Sequence, residues 1–202
     1  MRAVIAEMPK HWLEERERSE IGQRDEMWEG VLHMPPMPNR MHQVFVRDLL
    51  IYLQFHWAKP LGAEVHQEVN LTTPEDESRW TKNYRIPDLV LLTPDRFAID
   101  KNEYMVGAPL VVVEVRSPGD DSMEKLPFYA HLGVPEVWIF ERDTKELELF
   151  AFAAGQYEAI VPGADGWYRC AASTVCFRQF QLGQIRVRIG PDDATAENLP
   201  TR

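Results

Sequence analysis

Two short, unbroken apolar runs constrain this chain more than any other feature. Residues 88–92 read DLVLL and residues 110–115 read LVVVEV, and Pro87, Pro94, Pro109 and Pro118 bracket them. Runs of this length between breakers read as strands, and without polar alternation they suit central strands covered on both faces. Each nevertheless carries an acid, Asp88 at its start and Glu114 inside it. A carboxylate buried in such a strand is costly unless a cation, a metal ion or a hydrogen-bond network holds it.

The rest of the chain supplies a mixed setting for these strands. Residues 11–18 (HWLEERER) read as a short charged helix, and 25–34 (DEMWEGVLHM) as a turn and strand with Gly30 at the hairpin position. From Met41 to about Trp57 the period is helical, with Phe45, Leu49, Tyr52, Leu53 and Trp57 on one stripe and Asn39 as the cap. Residues 63–71 alternate as one half-exposed strand, and 73–84 read as a polar loop. A helix is expected over 122–132, ended by Gly133, with Pro127 tolerable only in its first turn or at a bend. EVWIFE at 136–141 is the next strand, 146–152 and 156–160 a hairpin around Gly155, and IRVRI at 185–189 an edge-type strand. The expected fold class is α/β with α+β character: a mixed sheet flanked by helices, with additional antiparallel hairpin strands.

At 202 residues the chain suits one domain over 25–190, preceded by a helical segment at 1–24 and followed by a disordered polar tail at 191–202. No apolar run approaches the ~20 residues needed to span a bilayer, and no signal-peptide core opens the chain. Cys170 and Cys176 form a poor zinc signature and are ordinary for a reduced cytosol, so the expectation is cytoplasmic, with no membrane partner. The net charge of −10 counts against tight binding of a nucleic-acid duplex, although bound metal can cancel local carboxylate charge. A Gly-rich phosphate loop, a G-x-S-x-G elbow and an H-E-x-x-H zinc motif are all missing. His33, His56 and His66 show no ligand spacing.

If the two acid-bearing strands are neighbours, Asp88 and Glu114 can meet at one sheet end, where a hard divalent ion takes one or two carboxylates plus waters and phosphate oxygens. Lys125 and Tyr129 lie four residues apart, on one face of the following helix, which can aim the ammonium at a scissile phosphate. Plainer readings stand beside these: a turn aspartate for Asp88, an edge-strand surface acid for Glu114, a solvated helix lysine for Lys125. Glu29, His42 and Tyr129 are accessory candidates, Glu29 as a third carboxylate, His42 at a helix start and Tyr129 as packing that aims Lys125.

Four ordered segments carry a family resemblance: Ile86-Pro87-Asp88-Leu89-Val90, then Val113-Glu114-Val115-Arg116-Ser117-Pro118, the Lys125–Tyr129 pair, and Gly133-Val134-Pro135-Glu136-Val137-Trp138. With Trp28-Glu29-Gly30-Val31-Leu32 and Pro38-Asn39-Arg40-Met41-His42 upstream, the sequence resembles the Uma-type restriction-endonuclease family of the PD-(D/E)XK nuclease superfamily over residues 25–150. The resemblance implies a restriction-endonuclease-like sheet core and Asp88 and Glu114 as ligands of one or two Mg²⁺ or Mn²⁺ ions. It further implies hydrolysis of phosphodiester bonds in DNA. The superfamily's lysine two residues after the glutamate is replaced by Arg116, and Lys125 occupies the displaced position seen in such members. Arg116 can bind phosphate but cannot act as a base. The alternative is a catalytically inactive binding or assembly module on the same scaffold, favoured by the acidic balance and the missing strand lysine. The aromatic load and the extra hairpin strands suggest a homodimer, the commonest soluble assembly.

Overall fold

Alternate residues of the central strands enter two different cores, and that alternation sets the layers. In this computed structural model, residues 3–5, 11, 24–117, 120 and 122–201 are described. The helix expected over 11–18 lies outside them apart from His11. The chain runs through β1 (Ala3–Ile5), β2 (Glu26–Trp28), β3 (Val31–Met34), helix α1 (Arg40–Leu53), a π-turn (Gln54–Ala58) and the short α2 (Lys59–Leu61). It continues with β4 (Glu64–Gln67), β5 (Leu71–Thr72), β6 (Tyr84–Arg85), β7 (Leu89–Leu92), β8 (Met105–Val106), β9 (Val111–Arg116), α3 (Leu126–Leu132) and β10 (Glu136–Glu141). The last strands are β11 (Leu147–Ala153), β12 (Gln156–Ala159), β13 (Tyr168–Arg169), β14 (Val175–Gln181), β15 (Gln184–Ile189) and β16 (Asp192–Leu199).

The central sheet has the order β12-β11-β10-β9-β7-β4. Only β9 and β10 run parallel in it, and the crossover that parallel neighbours need is supplied by α3. Val111, Val113 and Val115 of β9 enter one core with Phe45, Leu49 and Trp57 of the helical stretch and Phe177 and Val187 of the C-terminal sheet. Val112 enters the other core with Phe128 and Tyr129 of α3 and Val137 and Ile139 of β10. By that parity Glu114 shares the α3 face with Val112.

Local chemistry accounts for the element ends. Asn39 caps α1 by accepting from the His42 amide, and Gly62 closes the helical stretch in the left-handed conformation. Glu29 and Gly30, both at positive φ, make the two-residue turn of the β2–β3 hairpin. Pro127 lies in the first turn of α3 because 3₁₀ geometry over Ser122–Lys125 delays the α-helix, which resolves its awkward place in a longer helix.

Four expectations are corrected. Residues 63–71 are not one strand: Glu68 at φ 54° breaks the extended chain, so β4 pairs with β7 while β5 joins a different sheet. The loop at 73–84 winds as 3₁₀ helix over Pro74–Lys82, kinked at Arg79, with Thr73 as cap and Pro74 presetting φ. β15 is an interior strand, flanked by β14 and β16. The tail is ordered by that same pairing, since its polar residues suit an edge strand while Leu199 is buried. Tyr52 donates to the Thr195 carbonyl, and Thr201 donates through its amide and hydroxyl to Asp48. Leu199→Ala should therefore cost about 2–3 kcal/mol, read from the urea midpoint. An uncoupled tail would leave the midpoint where it is.

Candidate active site

Asp88 and Glu114 meet because their strands are antiparallel neighbours. The register pairs Leu89 with Val113, so one step further Asp88 stands across from Glu114. Asp88 Oδ2 accepts the Val115 amide at 2.7 Å, which pins the carboxylate to the neighbouring strand beside Glu114. Its other oxygen, Oδ1, accepts from His42 Nε2 at 2.8 Å. His42 reaches it from the first turn of α1, so its placement joins a helix start to a strand start.

Glu114 faces α3, and that helix answers with two donors. Lys125 Nζ lies 3.0 Å from Oε1 and 3.2 Å from Oε2, and the Tyr129 hydroxyl donates to Oε1 at 2.6 Å. The spacing of four that placed Lys125 and Tyr129 on one helix face thus delivers both to the same carboxylate. Lys125 also holds Glu26 of β2, with Nζ 2.7 Å from Oε1. Glu26 is completed by the Ile86 amide at 2.8 Å and the Trp28 indole N–H at 2.6 Å. Asp88, Glu114, Glu26, Lys125 and His42 are all buried, and all five line one cavity of about 60 Å³, room for a few water molecules. Arg85 holds the hairpin over α3, its guanidinium 4.3 Å from the Trp28 ring centroid and 4.2 Å from that of Phe128.

Burial is the first influence on each of these groups, and their neighbours decide which way the balance falls. Burial pushes the Glu114 carboxyl up to about 8; Lys125 opposes the rise, and Asp88 and Glu26 add to it. For Asp88, burial works upward but is outweighed by the hydrogen bond and field of His42, the Val115 amide and Lys125, so its carboxyl is held below its usual range. Burial works against the Lys125 ammonium, yet Glu114 and Glu26 prevail and hold it charged beyond the usual lysine range. The Tyr129 hydroxyl is driven well above its ordinary value by burial first and Glu114 next, so it remains a donor.

Two accessory expectations change. The hairpin sends Glu26 into the cavity, not Glu29, which is exposed in the turn. The two-residue turn fixes that register, and within DEMWEG nothing but long-range pairing distinguishes the two acids. Arg116, two residues after Glu114, forms a bidentate pair with Glu148 at 2.7 and 3.0 Å and does not line the cavity. Cys170 and Cys176 are buried free thiols.

The donor set suits a hard divalent ion, because Asp88, Glu114 and Glu26 offer carboxylate oxygens. Among the described residues, no three His, Cys, Asp or Glu side chains already stand as a metal cage. Each of the three carboxylates is engaged by the hydrogen bonds above, and Lys125 carries the charge compensation. No helix among the described residues is long and apolar enough to cross a membrane.

Comparison with known proteins follows the same lines. The family described as "Putative restriction endonuclease" (Uma2) matches residues 11–171. The chain belongs to this family. Uma2 membership covers the hairpin, both acid-bearing strands and α3, so every residue of the charge cluster lies within the matched part. A solved structure with likeness to the chain is the crystal structure of "a putative nuclease belonging to DUF820" from Anabaena variabilis ATCC 29413. It is 19% identical, covers 70% of this chain and 82% of its own, and has a TM-score of 0.48. No curated protein sequence matches the chain.

The raised Glu114 carboxyl makes stability depend on pH. Folding takes up a proton there between the ordinary value of 4.5 and about 8, so the stabilising contribution is complete below 4.5 and is lost as pH rises through about 8. Glu114→Gln stays neutral at every pH and keeps an acceptor oxygen. Its urea midpoint should gain on the parent's as pH is raised from about 5 to about 9. Parallel profiles would show that the carboxyl is ionised throughout.

Proposed function

We propose that the protein is a divalent-metal-dependent nuclease that hydrolyses phosphodiester bonds in DNA. The observation that carries this reading is that Asp88, Glu114 and Glu26, from three separate segments, line one cavity with Lys125, whose ammonium contacts Glu114 and Glu26 while His42 and the Val115 amide hold Asp88. Membership of a family of restriction-endonuclease type supports it.

In this reading Asp88 and Glu114, joined by Glu26, hold one or two Mg²⁺ or Mn²⁺ ions. A metal bound there supplies Lewis-acid polarisation of the phosphate and a more acidic water. The chain's own residues do the positioning. His42 and the Val115 amide keep the Asp88 oxygens turned toward Glu114, and Tyr129 keeps Glu114 in place. Lys125, held charged by its neighbours, acts as a cation and not as a base. Its hydrogen bonds orient the attacking water and offset negative charge that develops on the phosphoryl oxygens. Arg116, tied to Glu148, has no part in the step.

Asp88→Ala, Glu114→Gln and Lys125→Ala should each slow Mg²⁺-dependent cleavage of plasmid and oligonucleotide DNA by about 10²-fold or more, with EDTA abolishing the parent's activity. Variants that cut as fast as the parent would remove the assignment. One observation favours a second reading, an inactive nuclease-fold binding module: Lys125 already bridges Glu26 and Glu114, as a resident charge partner would. Calorimetric titration with Mg²⁺ and Mn²⁺ separates the two. The nuclease reading expects binding that Asp88→Ala removes, and the module reading expects no heat dependent on Asp88 or Glu114.

A further inference from the structure

The surface around the cavity is electrostatically lopsided. On one side a cleft of about 470 Å³ is lined by Arg24, Arg40, Gln43, Arg47, Gln67 and Glu68. Arg24 and Glu68, an ion pair, line the cavity as well, so the two spaces adjoin. Arg40, Gln43 and Arg47 are exposed at positions i, i+3 and i+7 of α1, and so share one helix face. The sole acid of α1, Asp48, is buried and already bonded to Thr201 as well as to Arg47. Arg40 meets no carboxylate among the described residues and lies against the Met41 sulfur. On the other side, a cleft of about 650 Å³ shares Trp28 and His33 with the cavity and includes Glu29, Glu75, Asp76 and Glu124 in its lining.

We infer that the exposed face of α1 is the track along which the sugar-phosphate backbone of duplex DNA approaches the cavity, an inference that rests on the nuclease reading above. In a chain of net charge −10 a polyanion is repelled over most of the surface, so a basic cleft that opens into the cavity is the approach with the least repulsion. Seven residues of helix separate Arg40 from Arg47, roughly 10 Å, the rise of about three base pairs along a duplex axis. Gln43 between them adds a neutral donor for a phosphate oxygen, and Arg24 lies where the track meets the cavity. The acidic cleft opposite repels the same backbone and orients the duplex. None of the arginines touches the reacting atoms; they act on affinity and alignment.

The test is fluorescence anisotropy of a fluorescein-labelled DNA duplex in Mg²⁺ over a salt series, in a Glu114→Gln background that suppresses cutting. Arg40→Ala with Arg47→Ala should weaken binding about 10-fold at low salt and make the plot of log affinity against log salt shallower by about 2. Arg40→Lys with Arg47→Lys keeps both charges and should restore the slope, which a folding defect would not do. Affinity and slope equal to the background protein's, or a background protein that binds no duplex, would overturn the track. Cleavage by otherwise parental protein carrying the same arginine changes is read separately. Normal cutting and normal binding remove the track and leave the nuclease reading; salt-sensitive binding through these arginines with no cutting by the parent does the reverse.

Discussion

The contact of Glu114 with Lys125 is the interaction on which the rest of the structure depends. A carboxylate on the covered face of a central strand has no water to solvate it, so it needs a partner of opposite charge at hydrogen-bond distance. Lys125 meets that need with two contacts, and Tyr129 adds a third. The same ammonium then draws Glu26 in from the hairpin, which ties the N-terminal sheet to the central one. Removing one partner alone would be the costly change, about 3–5 kcal/mol, because it strands the other group buried without its counterpart. What the cluster provides is a pocket lined by the buried Asp88, Glu114 and Glu26, in which burial first, and then Asp88 and Glu26, push the Glu114 carboxyl up to about 8 against the pull of Lys125.

The scaffold explains why the cluster can be held at one place. Antiparallel pairing of β7 with β9 sets the start of one strand against the end of the other, and parallel pairing of β9 with β10 requires the crossover that carries Lys125. The parity that sends Val113 toward α1 and Val112 toward α3 sends Glu114 toward α3 as well. Moving the β9 register by one residue would place Glu114 in the core shared with Phe45 and Phe177, on the face away from Tyr129 and α3. The metal-site hypothesis is therefore also a statement about register.

Much of this was legible in the sequence, for identifiable reasons. An acid inside LVVVEV stands out because burial is implied by every neighbour, and Lys125 with Tyr129 stands out because helical spacing puts both on one face. Asn39 was readable as a cap because capping is local chemistry. Glu26 was not readable, since choosing it over Glu29 depends on where the two-residue turn falls and on a lysine a hundred residues away. The break at Glu68 was hidden by the regular alternation of residues 63–71, which continues through a backbone kink that side-chain polarity does not record. The order of the tail was hidden too, because an edge strand is as polar as a disordered segment and differs only in having a partner. Burial of Leu199 and the bonds from Thr201 to Asp48 supply that partner.

Net charge is the remaining point where a chain-wide average misleads. A total of −10 weighs against a nucleic-acid substrate only if charge is spread evenly. Here one cleft beside the cavity has four acids with Arg85 and His131, another has three arginines with Glu68, and the exposed face of α1 carries no acid. For a polyanion the relevant quantity is the field along the approach to the site, which falls off within about 8–10 Å at ordinary salt. On the α1 flank Arg24 is paired with Glu68 and Arg47 with the buried Asp48, while Arg40 lies exposed against the Met41 sulfur. On the proposed reading, the α1 flank is the approach among the described residues where a phosphodiester on its way to Lys125 meets arginines, whereas the other cleft presents it with Glu29, Glu75, Asp76 and Glu124.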